Sequence, residues 1–231
     1  MANLYGPRIV TDGLVLHLDA GNRKSYPLSG NTIYDLSGNG NNGTFGASTA
    51  APTFSGDNGG CLSFDGSNDY FSVNYGKDIN PYNSPLSVYA WFKLDATGTE
   101  QMIFSTGQSR GNGDANQRLY VGVRQGLYFD YGIRASAWGN TSSSQAANTN
   151  WNLITLTIDN VNGAKLYLNK SHLLTKSINN TYVLNDNFNF GTHDANLPFD
   201  GKIAIAAIYS KSLSSDEITQ NYNALKGRFG L

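Results

Sequence analysis

The chain has 231 residues, charged side chains make up 14% of it, and its formal net charge is −1. A balance so near neutrality, with no run of basic residues, excludes the electrostatic footprint of nucleic-acid binding. No stretch approaches the roughly 18 apolar residues of a membrane span, so no membrane insertion is expected.

The single cysteine, Cys61, rules out an internal disulfide. Charge is scarce against the roughly 25% of an average protein. The polar surface therefore falls to Asn, Ser, Thr and the 26 glycines. The opening Met1-Ala2-Asn3-Leu4-Tyr5-Gly6-Pro7-Arg8 lacks a basic region followed by an apolar one, so no leader is expected there. No linker divides the chain, and residues 1–231 are expected to form one domain.

In chain order, Leu14, Leu16 and Leu18 alternate with Val15, His17 and Asp19, a period of two that predicts a half-buried strand. Residues 21–42 are rich in Asn, Gly and Ser and read as a loop anchored by Tyr26-Pro27 and Tyr34. Two apolar runs, 61–64 and 70–73, flank Asp65-Gly66-Ser67-Asn68-Asp69, which reads as a hairpin turn. Further strands are predicted at 86–94, 101–105, 119–123, 127–131, 152–158, 165–169 and 202–209. Their spacing is that of an antiparallel sandwich. Residues 107–117 and 134–150 read as long exposed loops. One helix is specified: Ser214-Ser215-Asp216-Glu217 is a capping box, Leu213 and Ile218 are placed for a hydrophobic staple, and Gly227 for the stop. Ile218, Tyr222 and Leu225 share its inner face.

Catalytic chemistry finds little footing. The chain has two glutamates, Glu100 and Glu217. The second belongs to the capping box and the first to a turn, so no pair of carboxylates spans a glycosidic bond. Cys61 reads as a small buried hydrophobe. His17, His172 and His193 share no metal-ligand spacing, and His17 is expected as a hydrogen-bonded residue on the outer face of its strand. No glycine-rich phosphate loop opens a helix.

Gly13-Leu14-Val15-Leu16-His17-Leu18-Asp19-Ala20, followed by Tyr34-Asp35-Leu36-Ser37-Gly38-Asn39-Gly40-Asn41-Asn42-Gly43, resembles the opening of laminin G-like jelly-roll domains, part of the concanavalin A-like superfamily. Leu62 through Tyr70 is similar to their F-D-G-x-x-D-Y hairpin. Lys165-Leu166-Tyr167-Leu168-Asn169 resembles x-L-Y-x-N-G, with Lys170 where Gly is usual. Phe199 through Ile218 is similar to the closing strand and helix. The resemblance spans about residues 9–229. It implies an all-β, two-sheet antiparallel jelly-roll sandwich with a short C-terminal helix. The superfamily's glucanases carry an E-x-D-x-x-E strand, which this chain lacks. The opening also resembles tailed-bacteriophage sequences, in which such domains occur in virion proteins.

Related jelly rolls use calcium to tie the early loop to the sheet, so the resemblance nominates Asp19, Asp35, Asn42 and Asp200 as Ca²⁺ ligands. The alternative is that each side chain makes its own turn. For a glycan, aromatic faces beside planar polar groups are required. Tyr26, Tyr34, Tyr75, Tyr82 and Trp138 are the aromatic candidates, with Arg110, Asn112, Asp114, Asn116 and Arg134 as partners. Trp138 stands among small residues, either as an exposed contact or as a plug for the sandwich edge. Trp91 and Trp151 read as core.

The expectation from these readings is a non-enzymatic virion surface protein of a tailed phage. It would decorate the capsid or attach to the host through a lectin-like face, with other virion proteins or a host cell-surface glycan as partners. A cellular or secreted carbohydrate-binding lectin, extracellular in location, is the alternative, and a glycan-degrading enzyme the third reading. Self-association into a homo-oligomer is open.

Overall fold

The computed structural model describes residues 7–75, 83–106, 118–124, 126–134, 140–178, 187–191 and 197–231. Its strands are β1 (Leu14–Asp19), β2 (Thr32–Ile33), β3 (Gly43–Phe45), β4 (Thr53–Ser55), β5 (Cys61–Asp65), β6 (Phe71–Asn74), β7 (Leu86–Leu94), β8 (Gln101–Thr106), β9 (Arg118–Arg124) and β10 (Tyr128–Arg134). They continue with β11 (Asn140–Ala146), β12 (Asn152–Asp159), β13 (Gly163–Leu168), β14 (Ser171–Lys176), β15 (Asn187–Phe190) and β16 (Asp200–Tyr209). The helix α1 (Ser215–Leu225) follows, then a 3-10 turn, Lys226–Phe229.

Two antiparallel sheets result. The first runs β14-β13-β12-β7-β16-β5-β4, with β1 paired to the C-terminal half of β16; the second runs β11-β10-β9-β8-β15-β6-β3-β2. The space between them is filled by residues such as Leu16, Leu18, Phe64, Phe71, Phe92, Phe104, Phe129, Phe188 and Phe190. Phe71 and Phe190 stack at 4.8 Å with their planes 12° apart. The fold is the all-β sandwich with one short C-terminal helix that the sequence predicts.

β7 and β12 are buried along both faces, which explains why Leu86-Ser87-Val88-Tyr89-Ala90-Trp91-Phe92 shows no alternation. One face meets the opposite sheet. The other, carrying Tyr89, Trp91, Leu153, Ala207 and Tyr209, is covered by Leu213, Ile218 and Phe229. The cover is fastened by polar contacts: Asn221 Oδ1 accepts from the Val10 amide at 2.7 Å, and the Tyr209 hydroxyl donates to the Val10 carbonyl at 2.9 Å. The capping box of Ser214 and Glu217 forms as expected. The helix ends at Leu225 and the chain tightens through Gly227 into the 3-10 turn, reversing at Gly230 with φ +74°.

Three expectations are corrected. The Asp65–Asp69 segment is not a hairpin turn: β5 pairs with β4 and β16 in the first sheet, whereas β6 pairs with β3 and β15 in the second. The segment is an arch between the sheets. Asp65 Oδ1 accepts from the Ser67 amide at 2.9 Å, Asp69 Oδ2 accepts from the Asp65 amide at 3.0 Å, and Gly66 donates to the Phe199 carbonyl at 3.2 Å. Phe64 and Phe71 thus enter one core from opposite sides, 6.3 Å apart. Second, the stretch 134–150 is not all loop, because residues 140–146 form β11 at a sheet edge. A polar edge strand carries no apolar alternation to betray it. Third, β2 interrupts the early loop, and Tyr26 there is a core residue, 7% exposed, with its ring 5.3 Å from Phe45.

The β13–β14 turn shows why Lys170 replaces the usual glycine. Leu168 pairs with Ser171, leaving a two-residue turn whose positive φ, +60°, falls on Asn169. Asparagine tolerates that region, so residue 170 needs no glycine.

Candidate functional site

On the first sheet, beside the C-terminal tail, lies a depression of about 310 Å³ lined by Lys93, Thr149, Asn150, Trp151, Asn152, Asn169, Phe229 and Leu231. β7 supplies Lys93, which follows Tyr89 and Trp91 on the sheet's outer face. The entry to β12 supplies Thr149 to Asn152, and the β13–β14 turn supplies Asn169. Phe229 reaches the floor because it lies over Trp91 at 4.3 Å and beside Trp151 at 4.7 Å. The Trp151 indole N–H donates to Asn58 Oδ1 at 2.9 Å, which fixes the ring.

An asparagine chain holds the rim. Asn152 Nδ2 donates to Asn148 Oδ1 and to the Asn150 carbonyl, both at 2.9 Å. Asn169 Nδ2 donates to Asn152 Oδ1 at 3.2 Å, while Asn169 Oδ1 accepts from the Leu153 amide at 3.0 Å. The Asn150 side-chain amide and the Thr149 hydroxyl, both exposed, have no protein partner among the described residues, although the Asn150 backbone N–H donates to Asn148 Oδ1 at 3.0 Å. The rim thus pairs hydrogen-bonded, pre-oriented amides with free ones, a chemistry that suits hydroxyl-rich ligands through paired donors and acceptors.

The sequence signal for this site is Asn148-Thr149-Asn150-Trp151-Asn152, an asparagine at every second residue around a tryptophan. Reading Trp151 as core is correct, since it is 8% exposed. That reading hid the role of its neighbours.

Tyr26, Tyr34 and Tyr75, nominated for glycan contact, do not line this depression. Trp138, Arg110, Asn112, Asp114, Asn116 and Tyr82 fall outside the described residues, as does His193. Arg134 ends β10 with its backbone paired to Arg118. Tyr26 is buried, as above, and cannot offer a ring face. Tyr34 is 46% exposed, and Tyr75 packs edge-on against Phe188 at 6.2 Å.

The four nominated calcium ligands do not converge. Asp19 Oδ1 meets Arg228 Nη1 at 2.7 Å and accepts from the Gly21 amide at 2.9 Å. Asp35 is saturated: it accepts from the amides of His17, Ser37 and Asn41 at 2.9, 2.8 and 3.1 Å, and from the Ser37 hydroxyl at 2.7 Å. Asn42 Oδ1 accepts from the Asp35 amide at 2.9 Å. Asp200 pairs with Asp65 across the strands, five residues along β16 from Ile205, the partner of Asp19. At about 3.3 Å per residue that places it some 16 Å away along the strand. Burial raises the Asp200 pKa, helped by Asp95 and Asp65. Among the described residues no group of three or more His, Cys, Asp or Glu is placed to hold a metal. Asp19, Asp35 and Asn42 spend their oxygens on N–H, O–H and guanidinium groups, and Asp200 stands apart from them, so the set does not fit Ca²⁺.

Other reactive groups are accounted for. Glu217 serves the capping box and meets Lys211 at 2.7 Å; Glu100 meets Arg124 at 3.2 Å. Cys61 is fully buried, and burial pushes its thiol pKa up. His17 departs from expectation: its Nε2 is buried without a hydrogen-bond partner, and burial lowers its pKa.

No curated protein matches the chain by sequence. Among solved structures the chain is similar to Domain 4 of AbnA, an extracellular arabinanase from Geobacillus stearothermophilus, solved with arabinotriose. The TM-score is 0.69 at 18% identity, over 90% of this chain and 98% of that one. It is also similar to the ligand binding domain of botulinum neurotoxin serotype D, solved with N-acetylneuraminic acid, with a TM-score of 0.64 at 20% identity over 92% of this chain and 51% of that one. The binding domain of Paraclostridial Mosquitocidal Protein 1 gives 0.69 at 16% identity, over 93% and 52%. The chain therefore spans about half of the two toxin binding domains. At these identities the likeness is one of fold. The profile of the laminin G-like family, described as the concanavalin A-like lectin/glucanases superfamily, matches residues 65–219, and the chain belongs to that superfamily.

Proposed function

We propose that the protein is a non-enzymatic glycan-binding module and that the Trp151–asparagine depression is its contact site. The observation that carries this is the asparagine chain Asn148–Asn152–Asn169, set beside the unpaired groups of Asn150 and Thr149 over an aromatic floor. Planar amides held in place lose little entropy on meeting a sugar hydroxyl pair. The similarity to domains solved with arabinotriose and with N-acetylneuraminic acid supports the same reading. Both glutamates are engaged, one by a capping box and one by an arginine, which favours binding over hydrolysis. The reading needs no calcium.

The test is a glycan array probed with the intact chain and with the double variant Thr149→Ala, Asn150→Ala. Binding by the parent that is lost in the variant, at unchanged melting temperature, is the expected result. Equal binding by both would move the site elsewhere.

For its setting we propose the surface of a tailed-phage virion, as a capsid-decoration or host-attachment module among other virion proteins. The support is the resemblance carried by the opening strand and the Asn39–Gly43 loop. Immunogold labelling of intact particles with an antibody to this chain checks it. Unlabelled particles from a lysate that contains the protein would favour a free, secreted lectin instead.

A further inference from the structure

Among the described residues Lys93 is the one cation lining the depression, and its surroundings are unusual. It is half-buried, and no hydrogen bond or ion pair engages it among the described residues. It stands directly opposite Lys202 in the β7–β16 ladder. Like charges facing each other across strands are destabilising. Lys202 is compensated by Asp57 at 3.4 Å and Asp95 at 3.8 Å. Asp57 lies within electrostatic reach of Lys93, but its contact is to Lys202. The ladder therefore neutralises one lysine of the facing pair and leaves the other turned toward the depression.

The floor argues in the same direction. Trp151 and Phe229 keep only 8% and 6% of their surface exposed. A sugar ring cannot stack on either as on an open platform, so affinity must come from the rim. That rim offers the Lys93 ammonium, the Asn150 amide, the Thr149 hydroxyl and the second proton of Asn169 Nδ2. All of these can donate, and the ammonium and the Asn169 proton can only donate. A rim that sets donors around one cation without a direct ion pair favours an anionic ligand over a neutral one, because charge-assisted hydrogen bonds are about twice as strong as neutral ones.

We propose that the depression takes an acidic saccharide, whose carboxylate or sulfate meets the Lys93 ammonium while its hydroxyls engage Asn150 and Asn169. This rests on the glycan-binding reading above. A polyanion such as nucleic acid would require several cations along its path, and the depression supplies one. Lysine acts as a point charge, so it accepts a carboxylate or a sulfate alike.

The test is an array in which each uronate- or sialate-terminated glycan stands beside its carboxyl-reduced counterpart, and each sulfated glycan beside its desulfated one. It is probed with the intact chain and with the variants Lys93→Gln and Lys93→Arg. The expected result is about a tenfold preference for the acidic members. That preference should shrink as salt is raised, vanish in Lys93→Gln and persist in Lys93→Arg, with melting temperatures unchanged. The carboxylated and sulfated arms identify which anion is taken. Equal binding of acidic and neutral members, sensitive to Asn150→Ala but not to Lys93→Gln, would overturn the acidic ligand and leave the glycan site standing. A blank array would overturn both.

Discussion

Phe229 lies flat against Trp91, their ring centroids 4.3 Å apart and their planes 16° from parallel, while the tilted ring of Trp151 lies 4.7 Å from it. The last turn of the chain thereby plugs the outer face of the first sheet and forms the floor of the depression. Tyr222 stacks on the same Trp91 at 5.7 Å, so α1 and the tail share one aromatic anchor. Replacing Phe229 by Ala should cost about 3 kcal/mol, the usual loss for a buried phenylalanine. Thermal unfolding checks this. A change below about 1 kcal/mol would mean that the tail is not part of the cooperative core.

The tail is held in place by Arg228. Its Nη1 meets Asp19 at 2.7 Å, its Nε donates to the Asn58 carbonyl at 2.7 Å, and its Nη2 donates to the Gly60 carbonyl. Three acceptors in one fan suit a guanidinium and not an ammonium. Arg228→Ala should destabilise by about 2 kcal/mol, and Arg228→Lys should recover little of it. Full recovery by lysine in a denaturant titration would show that charge alone, and not the fork, does the fastening.

Much of this was legible in the sequence. The period of two in β1, the capping box and the apolar runs of β7, β12 and β16 point directly to a sandwich closed by a helix, because burial imposes those patterns. The connection between β5 and β6 was not legible. A hairpin and an arch both place apolar runs on either side of a Gly-Ser-Asn-Asp turn, and only long-range pairing distinguishes them. β11 and β14 are edge strands, where one unpaired side and partial exposure remove the apolar signal. The depression escaped for another reason. Its residues come from β7, the entry to β12, the β13–β14 turn and the tail, and no local pattern foretells that Lys93, Asn150 and Phe229 meet.

Acid should weaken the fold through His17. Burial lowers its pKa, although Asp19 and Asp35 pull the other way. The unfolded chain then takes up a proton near 6.5, before the folded chain does, and wherever the unfolded state binds more protons stability falls with falling pH. The contribution of neutral His17 is complete above 6.5 and is lost as pH drops from there toward the folded value. Melting temperatures measured between about pH 7.5 and pH 5 should decline, and the decline should be shallower in His17→Gln. An identical slope in the variant would assign the effect to other groups.

Chelation should leave the protein unmoved. Asp35 closes the early loop by accepting four hydrogen bonds, from His17, Ser37 twice and Asn41. Asp35→Ala should cost about 2 kcal/mol or more, because it strands several half-buried donors. EDTA should not change the melting temperature. A marked drop in EDTA, reversed by calcium, would show that the loop carries a metal.

Incubation with laminarin, alginate or any array hit should release no new reducing ends. Turnover that disappears in Glu100→Gln would contradict the binding-only account, since it would give that carboxylate a role beyond its contact with Arg124.

The central claim is that ligand meets the Trp151–asparagine depression, and chemical-shift mapping tests it most directly. With ¹⁵N-labelled protein and an array-selected glycan, the account predicts shifts for the side-chain amides of Asn150 and Asn169 and for the Trp151 indole. Shifts confined to residues 107–117 and 134–139, with the Trp151 indole unmoved, would contradict it and return the site to the segment around Trp138.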